Sequence, residues 1–185
     1  MIQDYHEFIE EILISNDQLQ ERVRELGEQI SQEYVGKDLL LVCILRGGVV
    51  FLTDLMRNIS IPHAIEFMAV SSYGVGSRET TGVVRVNYDL KSNITGRHIL
   101  LVEDIIDSGN TLSSVLDILR LRKPESLEVC TLLNKAERRE VDVAIKYSGF
   151  MIPDKFVFGY GLDVDDYYRN LPFIGVIDLE KYSGV

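Results

Sequence analysis

The sequence predicts an α/β protein in which a mostly parallel, twisted sheet is flanked by helices. Uninterrupted apolar runs at residues 39–45 and 99–102, and a largely apolar run at 127–133, are typical of strands that are buried on both faces. Between these runs lie segments whose apolar residues recur at helical spacing. Because strands alternate with helices along the chain, a parallel sheet covered by helices is the expected architecture.

The N-terminal half begins with an apolar alternation at residues 9–14, which predicts an outlying strand. Ser15 or Asn16 then caps a helix whose core stripe recurs at helical spacing and consists of Leu19, Val23, Leu26 and Ile30. After the strand at 39–45 we expect a glycine turn and a helix at 49–57. A third strand at 65–70 and a partner strand at 84–88 are predicted to form a hairpin.

The C-terminal half follows the same order, with a helix predicted at 111–121 and a strand at 127–133. Residues 141–147, 156–160 and 173–177 are shorter strand candidates. The whole chain, residues 1–185, is expected to be one domain, with a core at about 36–142. Residues 1–14 and 143–185 are expected to form a small hood over the carboxyl edge of the sheet.

Composition restricts the classes of function. The chain has 185 residues and 46% hydrophobic residues, enough for one well-packed core. Its net charge of −10 argues against binding to nucleic acid. We find neither an apolar stretch long enough for a bilayer nor a signal-peptide pattern, so no membrane partner and a cytoplasmic location are expected. Cys43 and Cys130 lie in apolar runs, which favours buried, unpaired thiols.

The stretch from His98 to Leu112, HILLVEDIIDSGNTL, is the strongest functional signal. Its apolar run ends in adjacent acids, Glu103 and Asp104, at the edge where parallel sheets bind ligands. The turn that follows offers hydroxyls, backbone N–H groups and a helix N-terminus, which together suit a phosphate. Neighbouring carboxylates would repel that phosphate unless they face ribose hydroxyls or a divalent metal. A phosphorylated ribose satisfies both requirements, whereas a simple helix cap explains each residue only singly.

This stretch resembles the 5-phosphoribosyl-1-pyrophosphate (PRPP) motif of the type I phosphoribosyltransferases. The resemblance implies the fold of that family, with a hood from the terminal segments. It also implies that Glu103 and Asp104 hold the ribose hydroxyls and the metal environment, and that Asp107 is the general base for purine N7. The 5′-phosphate would be held by Asp107, Ser108, Gly109, Asn110 and Thr111.

Two glycine-bearing turns also resemble functional loops of this family. The turn Leu45-Arg46-Gly47-Gly48 could be a tight connection only, but it resembles the pyrophosphate loop of purine phosphoribosyltransferases, in which the bond matching Leu45–Arg46 is commonly cis. Residues 71–74 (Ser71, Ser72, Tyr73 and Gly74) resemble the start of the family's flexible catalytic loop, which closes over the reacting centre. An exposed polar loop would have the same composition, and we expect residues 71–82 to be mobile without substrates.

Further segments resemble the base-binding and metal-binding parts of the hypoxanthine-guanine phosphoribosyltransferases. By that resemblance Phe156 stacks on the purine, Val157 contacts it through the backbone, and Lys135 donates to its exocyclic O6. Asp163 lies in the purine site and holds a second Mg²⁺, and Arg169 reaches the pyrophosphate. Alone, Lys135 would be a solvated lysine and Phe156 a core aromatic.

The resemblance implies purine salvage: transfer of phosphoribose from PRPP to N9 of hypoxanthine or guanine, giving IMP or GMP and pyrophosphate. It implies Mg²⁺ as cofactor and assembly as a homodimer or homotetramer. Two alternatives remain open, a transferase for another base such as xanthine or a pyrimidine, and a non-catalytic regulator that binds RNA or DNA. A Rossmann-like nucleotide domain is less favoured because the chain lacks a G-x-G-x-x-G turn after a strand.

Overall fold

A computed structural model describes residues 2–72 and 84–184 of the chain. Its strands are β1 (Ile9–Ile14), β2 (Leu39–Leu45), β3 (His63–Ser72), β4 (Val84–Tyr88), β5 (His98–Ile106), β6 (Ser126–Asn134), β7 (Tyr147–Met151), β8 (Val157–Phe158) and β9 (Ile174–Ile177). Its α-helices are α1 (Asn16–Glu33), α2 (Val49–Asn58) and α3 (Asn110–Arg120), with short 3₁₀ turns at Tyr5–Glu7 and Ala136–Arg138.

The strands form two sheets. The larger sheet has the order β4-β3-β2-β5-β6-β7, and every neighbouring pair is parallel except β3 with β4. The smaller sheet has the order β1-β9-β8 and is antiparallel. The predicted α/β architecture is therefore confirmed, and terminal segments supply the smaller sheet.

The central strand β2 shows why the large sheet is buried on both faces. Leu39, Leu41 and Cys43 point into one core cluster, which also holds the apolar stripes of α1 and α2. The alternate residues Leu40 and Val42 point into a second cluster, against α3. Each side chain of β2 from Leu39 to Ile44 is buried, so an uninterrupted apolar run is what this position requires.

Two predicted strand boundaries were wrong. Strand β5 does not end before the acids but runs on through them to Ile106, because Glu103 and Ile105 still pair with β6. Residues 141–146 do not form a strand, since the amide of Val141 donates to the carbonyl of Ser108 and not to a neighbouring strand. The strand starts at Tyr147 and pairs with β6, so the large sheet takes residues that we expected in the hood.

The structure also bears on the predictions for the two cysteines and for membrane-spanning helices. Cys43 and Cys130 are buried free thiols, as predicted, and burial raises the pKa of both. Among the helices that the structure describes, we find none with the length and apolar character needed to span a bilayer.

The N-cap of helix α1 allows a test of how a local sequence signal stabilises the fold. Ser15 is the N-cap: its hydroxyl accepts from the amide of Gln18, and the Gln18 side chain accepts from the amide of Ser15. We predict that Ser15→Ala lowers the free energy of unfolding by about 1 kcal/mol in urea denaturation. The control is Asn16→Ala at the exposed first helical position, which should change it by less than about 0.5 kcal/mol. Equal losses in both variants would contradict the capping role.

Candidate active site

A pocket of about 280 Å³ lies at the carboxyl ends of β2 and β5. It brings together two segments that are far apart in sequence, the turn after β2 and the end of β5 with its following loop. The predicted residues that line it are Leu45, Arg46, Gly47, Glu103, Asp104, Asp107, Ser108, Gly109 and Thr111. The parallel register of β2 with β5 makes both segments end at the same edge of the sheet.

The loop of residues 107–111, the phosphate loop, leads directly into α3. Gly109 is the N-cap of α3 and has a φ of 87°, a conformation that favours glycine. It has no side chain with which to cap the helix. The carbonyl of Ser108 accepts from the amides of Glu140 and Val141, which hold the loop from behind. Asn110 differs from expectation, because its side-chain amide donates to Glu140 at 2.6 Å. The amide of Asn110 donates to Ser108 Oγ at 3.4 Å, and Gly109 itself supplies no side-chain cap. The N-terminus of α3 therefore suits an anion.

The adjacent acids at the end of β5 are strongly desolvated although each keeps partial exposure to the pocket. Burial, followed by the charge of Asp104, raises the pKa of Glu103 well above its usual range. Burial also raises the pKa of Asp104 to about 6, with a smaller contribution from the charge of Asp163. The amide of Ile105 donates to Asp104 Oδ1 at 2.8 Å and opposes that rise. This region therefore favours a cation or a hydrogen-bond donor.

The donor chemistry of these acids fits Mg²⁺, which prefers oxygen ligands. Within the described ranges, no cluster of three or more Asp, Glu, His or Cys side chains could hold a metal ion. Mg²⁺ is commonly bound by one or two carboxylates together with substrate phosphates and waters, so one or two acids per ion are sufficient. Both oxygens of Asp163 are already engaged, with Arg169 and with the amide of Asp166 at 2.8 Å each. Its unused lone pairs would have to serve a metal.

The turn Leu45–Gly48, the pyrophosphate loop, is packed closely from two sides. A Cβ atom on Gly47 would lie 1.7 Å from Asp104 Oδ2, so any other residue would require this carboxylate to move. A Cβ atom on Gly161 would lie 2.2 Å from the carbonyl oxygen of Gly47, so the hood contacts the same loop. The Leu45–Arg46 peptide bond is cis, as the family resemblance led us to expect.

Two guanidinium groups lie in this region, that of Arg46 in the loop itself and that of Arg169 in the hood. Arg46 Nη2 lies 2.5 Å from Asp166 Oδ1, and both side chains are well exposed. Arg169 donates to the carbonyl of Gly161 at 2.8 Å, and its other Nη atom contacts Asp163 and Asp166. Asp166 is a site residue that sequence reasoning missed. Its only signal was a position within an acidic segment between two motifs.

A second pocket of about 150 Å³ lies beside the first and contains the four predicted purine-binding residues. These are Lys135, Phe156, Val157 and Asp163. Ile105 lines both pockets, which shows that they adjoin. Phe156 is 53% exposed and Val157 is 7% exposed, so the aromatic ring offers a free surface on a fixed backbone. Lys135 is 6% exposed, which is unusual for a lysine.

Two arginines near the phosphate loop were also missed by the sequence interpretation. Arg139 donates from Nε to the carbonyl of Asp107 at 3.1 Å and from Nη2 to Asn134 Oδ1 at 2.6 Å. Arg138 Nε lies 3.5 Å from Asp107 Oδ1. The available signal was a pair of arginines shortly after Lys135, which itself follows β6.

The predicted catalytic loop is only partly within the described residues. Ser71 and Ser72 form the end of β3, where they pair with Arg85 and Val84 of β4. Tyr73 and Gly74, with the rest of the segment expected to be mobile up to residue 82, lie outside the described residues.

The chain matches the family described as phosphoribosyl transferase domain over residues 15–165. It is 49% identical over 171 residues to the hypoxanthine phosphoribosyltransferase of Salmonella typhimurium, covering 91% of this chain and 96% of that protein. The protein of the same name from Buchnera aphidicola is 50% identical over 172 residues, covering 92% of this chain and 97% of its own length.

Solved structures give the same result. A hypoxanthine phosphoribosyltransferase from Staphylococcus aureus superposes with a TM-score of 0.94 and 44% identity over 100% of both chains. A hypoxanthine-guanine phosphoribosyltransferase from Bacillus anthracis superposes with a TM-score of 0.86 and 46% identity, covering 92% of this chain and 98% of that one.

The raised pKa of Asp104 has a consequence for stability. Asp104 goes from an ordinary pKa of 3.8 to about 6 on folding, so its charge opposes folding at pH 7 by up to about 3 kcal/mol. Asn keeps the acceptor for the Ile105 amide without the charge. We therefore predict that Asp104→Asn raises the free energy of unfolding of the metal-free protein at pH 7.

The stability gained by Asp104→Asn should depend on pH, because Asp104 loses its proton near pH 6 in the folded protein. The neutral form of Asp104 stabilises the fold below its unfolded pKa, and this benefit is lost as the pH rises through about 6. The advantage of Asp104→Asn should accordingly shrink as the pH falls from 7 towards about 4 in urea denaturation. Asp142→Asn, at an exposed carboxylate, is the control and should differ from wild type by less than about 0.5 kcal/mol. A destabilised Asp104→Asn at pH 7 would refute the argument.

Proposed function

The chain belongs to the phosphoribosyltransferase family, and we propose from this premise that the site described above performs purine salvage on 6-oxopurines. The enzyme transfers 5-phosphoribose from PRPP to N9 of hypoxanthine or guanine, which gives IMP or GMP and pyrophosphate. The observation that carries this function is the pair of adjoining pockets, one with a phosphate loop and paired acids, the other with Lys135 and Phe156. The names of its relatives favour this activity over transfer to another base or a role as a nucleic-acid-binding regulator.

Each pocket has groups for one substrate. In the larger pocket the phosphate loop and the N-terminus of α3 hold the 5′-phosphate, and Glu103 and Asp104 hold the ribose hydroxyls. Arg46 and Arg169 face the pyrophosphate, together with backbone groups of the pyrophosphate loop. In the smaller pocket Phe156 stacks on the purine and the Lys135 ammonium donates to O6.

The reaction breaks the bond between the ribose and its pyrophosphate while positive charge develops on the sugar. The carboxylates of Glu103 and Asp104 lie beside that centre and stabilise the developing charge electrostatically. Asp107 opens into the same pocket and accepts the proton from purine N7. Adjoining pockets hold both substrates in one orientation, which lowers the entropic part of the barrier.

We propose Mg²⁺ as the cofactor, with Glu103 and Asp104 on one side of the site and Asp163 on the other. When bound, it would neutralise negative charge on the pyrophosphate leaving group. The desolvated acids support this assignment, because burial disfavours their charged forms and a cation bound beside them would relieve that cost.

A cytoplasmic location and assembly as a homodimer or homotetramer complete the proposal. The buried free thiols of Cys43 and Cys130 suit a reducing compartment. Analytical ultracentrifugation would distinguish the two oligomeric states.

The proposed function predicts a clear choice of base. An ammonium has only donors, so Lys135 pairs with the O6 acceptor of hypoxanthine but meets the amino group of adenine. With PRPP and Mg²⁺, we expect kcat/KM for adenine to be about 10⁴-fold below that for hypoxanthine. Lys135→Ala should reduce oxopurine use more than PRPP binding. Comparable kcat/KM values for adenine and hypoxanthine would refute both the assignment and the role of Lys135.

Asp107→Asn separates the shape of the phosphate loop from its chemistry. The amide keeps the size of the side chain but cannot accept the N7 proton, so we expect kcat to fall by about 10²-fold or more. PRPP affinity, measured by isothermal titration, should remain within about threefold of wild type because the loop backbone is preserved. If Asp107→Asn had the kcat of the wild type, Asp107 would have only a structural role in the loop.

Metal dependence provides an independent test of the paired acids. After exhaustive chelation we expect product formation to fall by at least about 10²-fold, and added Mg²⁺ should restore it. Activity that survives chelation would exclude a metal role for Glu103 and Asp104.

A further inference from the structure

The lysine that recognises the purine has one acidic neighbour within ion-pair distance among the described residues. The ammonium of Lys135 lies 3.8 Å from Asp154 Oδ1. The Lys135 side chain is only 8% exposed, whereas that of Asp154 is 49% exposed. A buried ammonium without a counter-charge is strongly disfavoured, so this carboxylate offsets the charge of Lys135 beside the pocket.

The distance between the Lys135 ammonium and Asp154 shows what kind of contact the two groups make. At 3.8 Å the pair interacts by charge but does not form a normal hydrogen bond. The carboxylate therefore offsets the charge of Lys135 without occupying its N–H donors, which remain available for an acceptor on the ligand. Asp154 also belongs to the turn that leads into Phe156, so one short segment fixes both the stacking ring and the counter-ion.

The same carboxylate oxygen has a second cationic neighbour. Arg138 Nη1 lies 3.6 Å from Asp154 Oδ1, and Arg138 Nε lies 3.5 Å from Asp107 Oδ1. Arg138 is in the 3₁₀ turn that directly follows Lys135. The four side chains thus alternate in charge from the base-recognising Lys135, through Asp154 and Arg138, to Asp107.

We infer that Asp154 and Arg138 form a charge bridge between Lys135 and Asp107, and that Asp154 is a positioning residue for recognition of the 6-oxo group. This inference rests on the proposed function and adds two residues to it. Asp154 offsets the charge of the ammonium and helps to hold it at the purine pocket. Arg138 divides its charge between Asp154 and Asp107, so that Lys135 in the smaller pocket and Asp107 in the larger pocket are held in one arrangement.

The test is steady-state kinetics on the full chain with hypoxanthine, PRPP and Mg²⁺. Asp154→Asn should raise KM for hypoxanthine about fivefold, since a partly exposed carboxylate contributes a modest interaction. KM for PRPP should stay within about twofold, because the PRPP groups lie in the neighbouring pocket. Asp154→Glu should restore most of the lost affinity, because it returns the negative charge.

Glu137→Gln is the matched control, since it removes one negative charge from an exposed position next to Arg138. It should leave both KM values within about twofold of wild type. An unchanged KM for hypoxanthine in Asp154→Asn, or equal rises in both KM values, would overturn the role of Asp154. Failure of the unmodified enzyme to form IMP would instead overturn the proposed function and this inference with it.

A double-mutant cycle tests the bridge itself. If Arg138 and Asp154 act through each other, the loss of kcat/KM in the double variant Asp154→Asn with Arg138→Gln should be smaller than the product of the two single losses. Losses that multiply would show that the two residues act independently, and Arg138 would then be removed from the inference.

Discussion

The constraint on which the rest of the site depends is the placement of two adjacent carboxylates, Glu103 and Asp104, at the end of a strand that is buried on both faces. Desolvation raises the pKa of each, so the charged forms of both acids are disfavoured in the free protein. A region of this kind persists because the strand is fixed by its pairing with both neighbours. The free energy that the acids cost in the free protein is available when a cation or donor arrives.

The pyrophosphate loop follows from this placement. Asp104 lies so close to Gly47 that any side chain there would collide with it, and Gly161 approaches the same glycine from the hood. The loop is therefore held between the core acid and the hood, which lets its backbone groups face a ligand. Arg169 links the two sides, since it donates to Gly161 and also contacts Asp163. Core and hood therefore meet at this loop.

Much of this arrangement could be predicted from sequence because its signals are local. The buried strands, the cap at Ser15 and the residues that line each pocket all lie within continuous motifs. The start of β7 at Tyr147 could not be predicted from local signals. The apolar alternation of residues 141–145 is typical of a strand, yet Val143 packs against the core while the Val141 amide serves the phosphate loop. A tertiary hydrogen bond decided the outcome, and the sequence carries no local record of it.

The same limit explains why Asp154, Arg138 and Asp166 were missed. Each is an exposed charged residue whose role depends on a partner from another motif: Asp154 on Lys135, Arg138 on Asp107, and Asp166 on Arg46. Exposed charges are common, and most surface ion pairs contribute little. What distinguishes Asp154 is that its partner is buried, because a buried ammonium makes its counter-ion consequential. Burial of one member of a pair, which only the fold reveals, is therefore the observation that separates a functional charge from a solvated one.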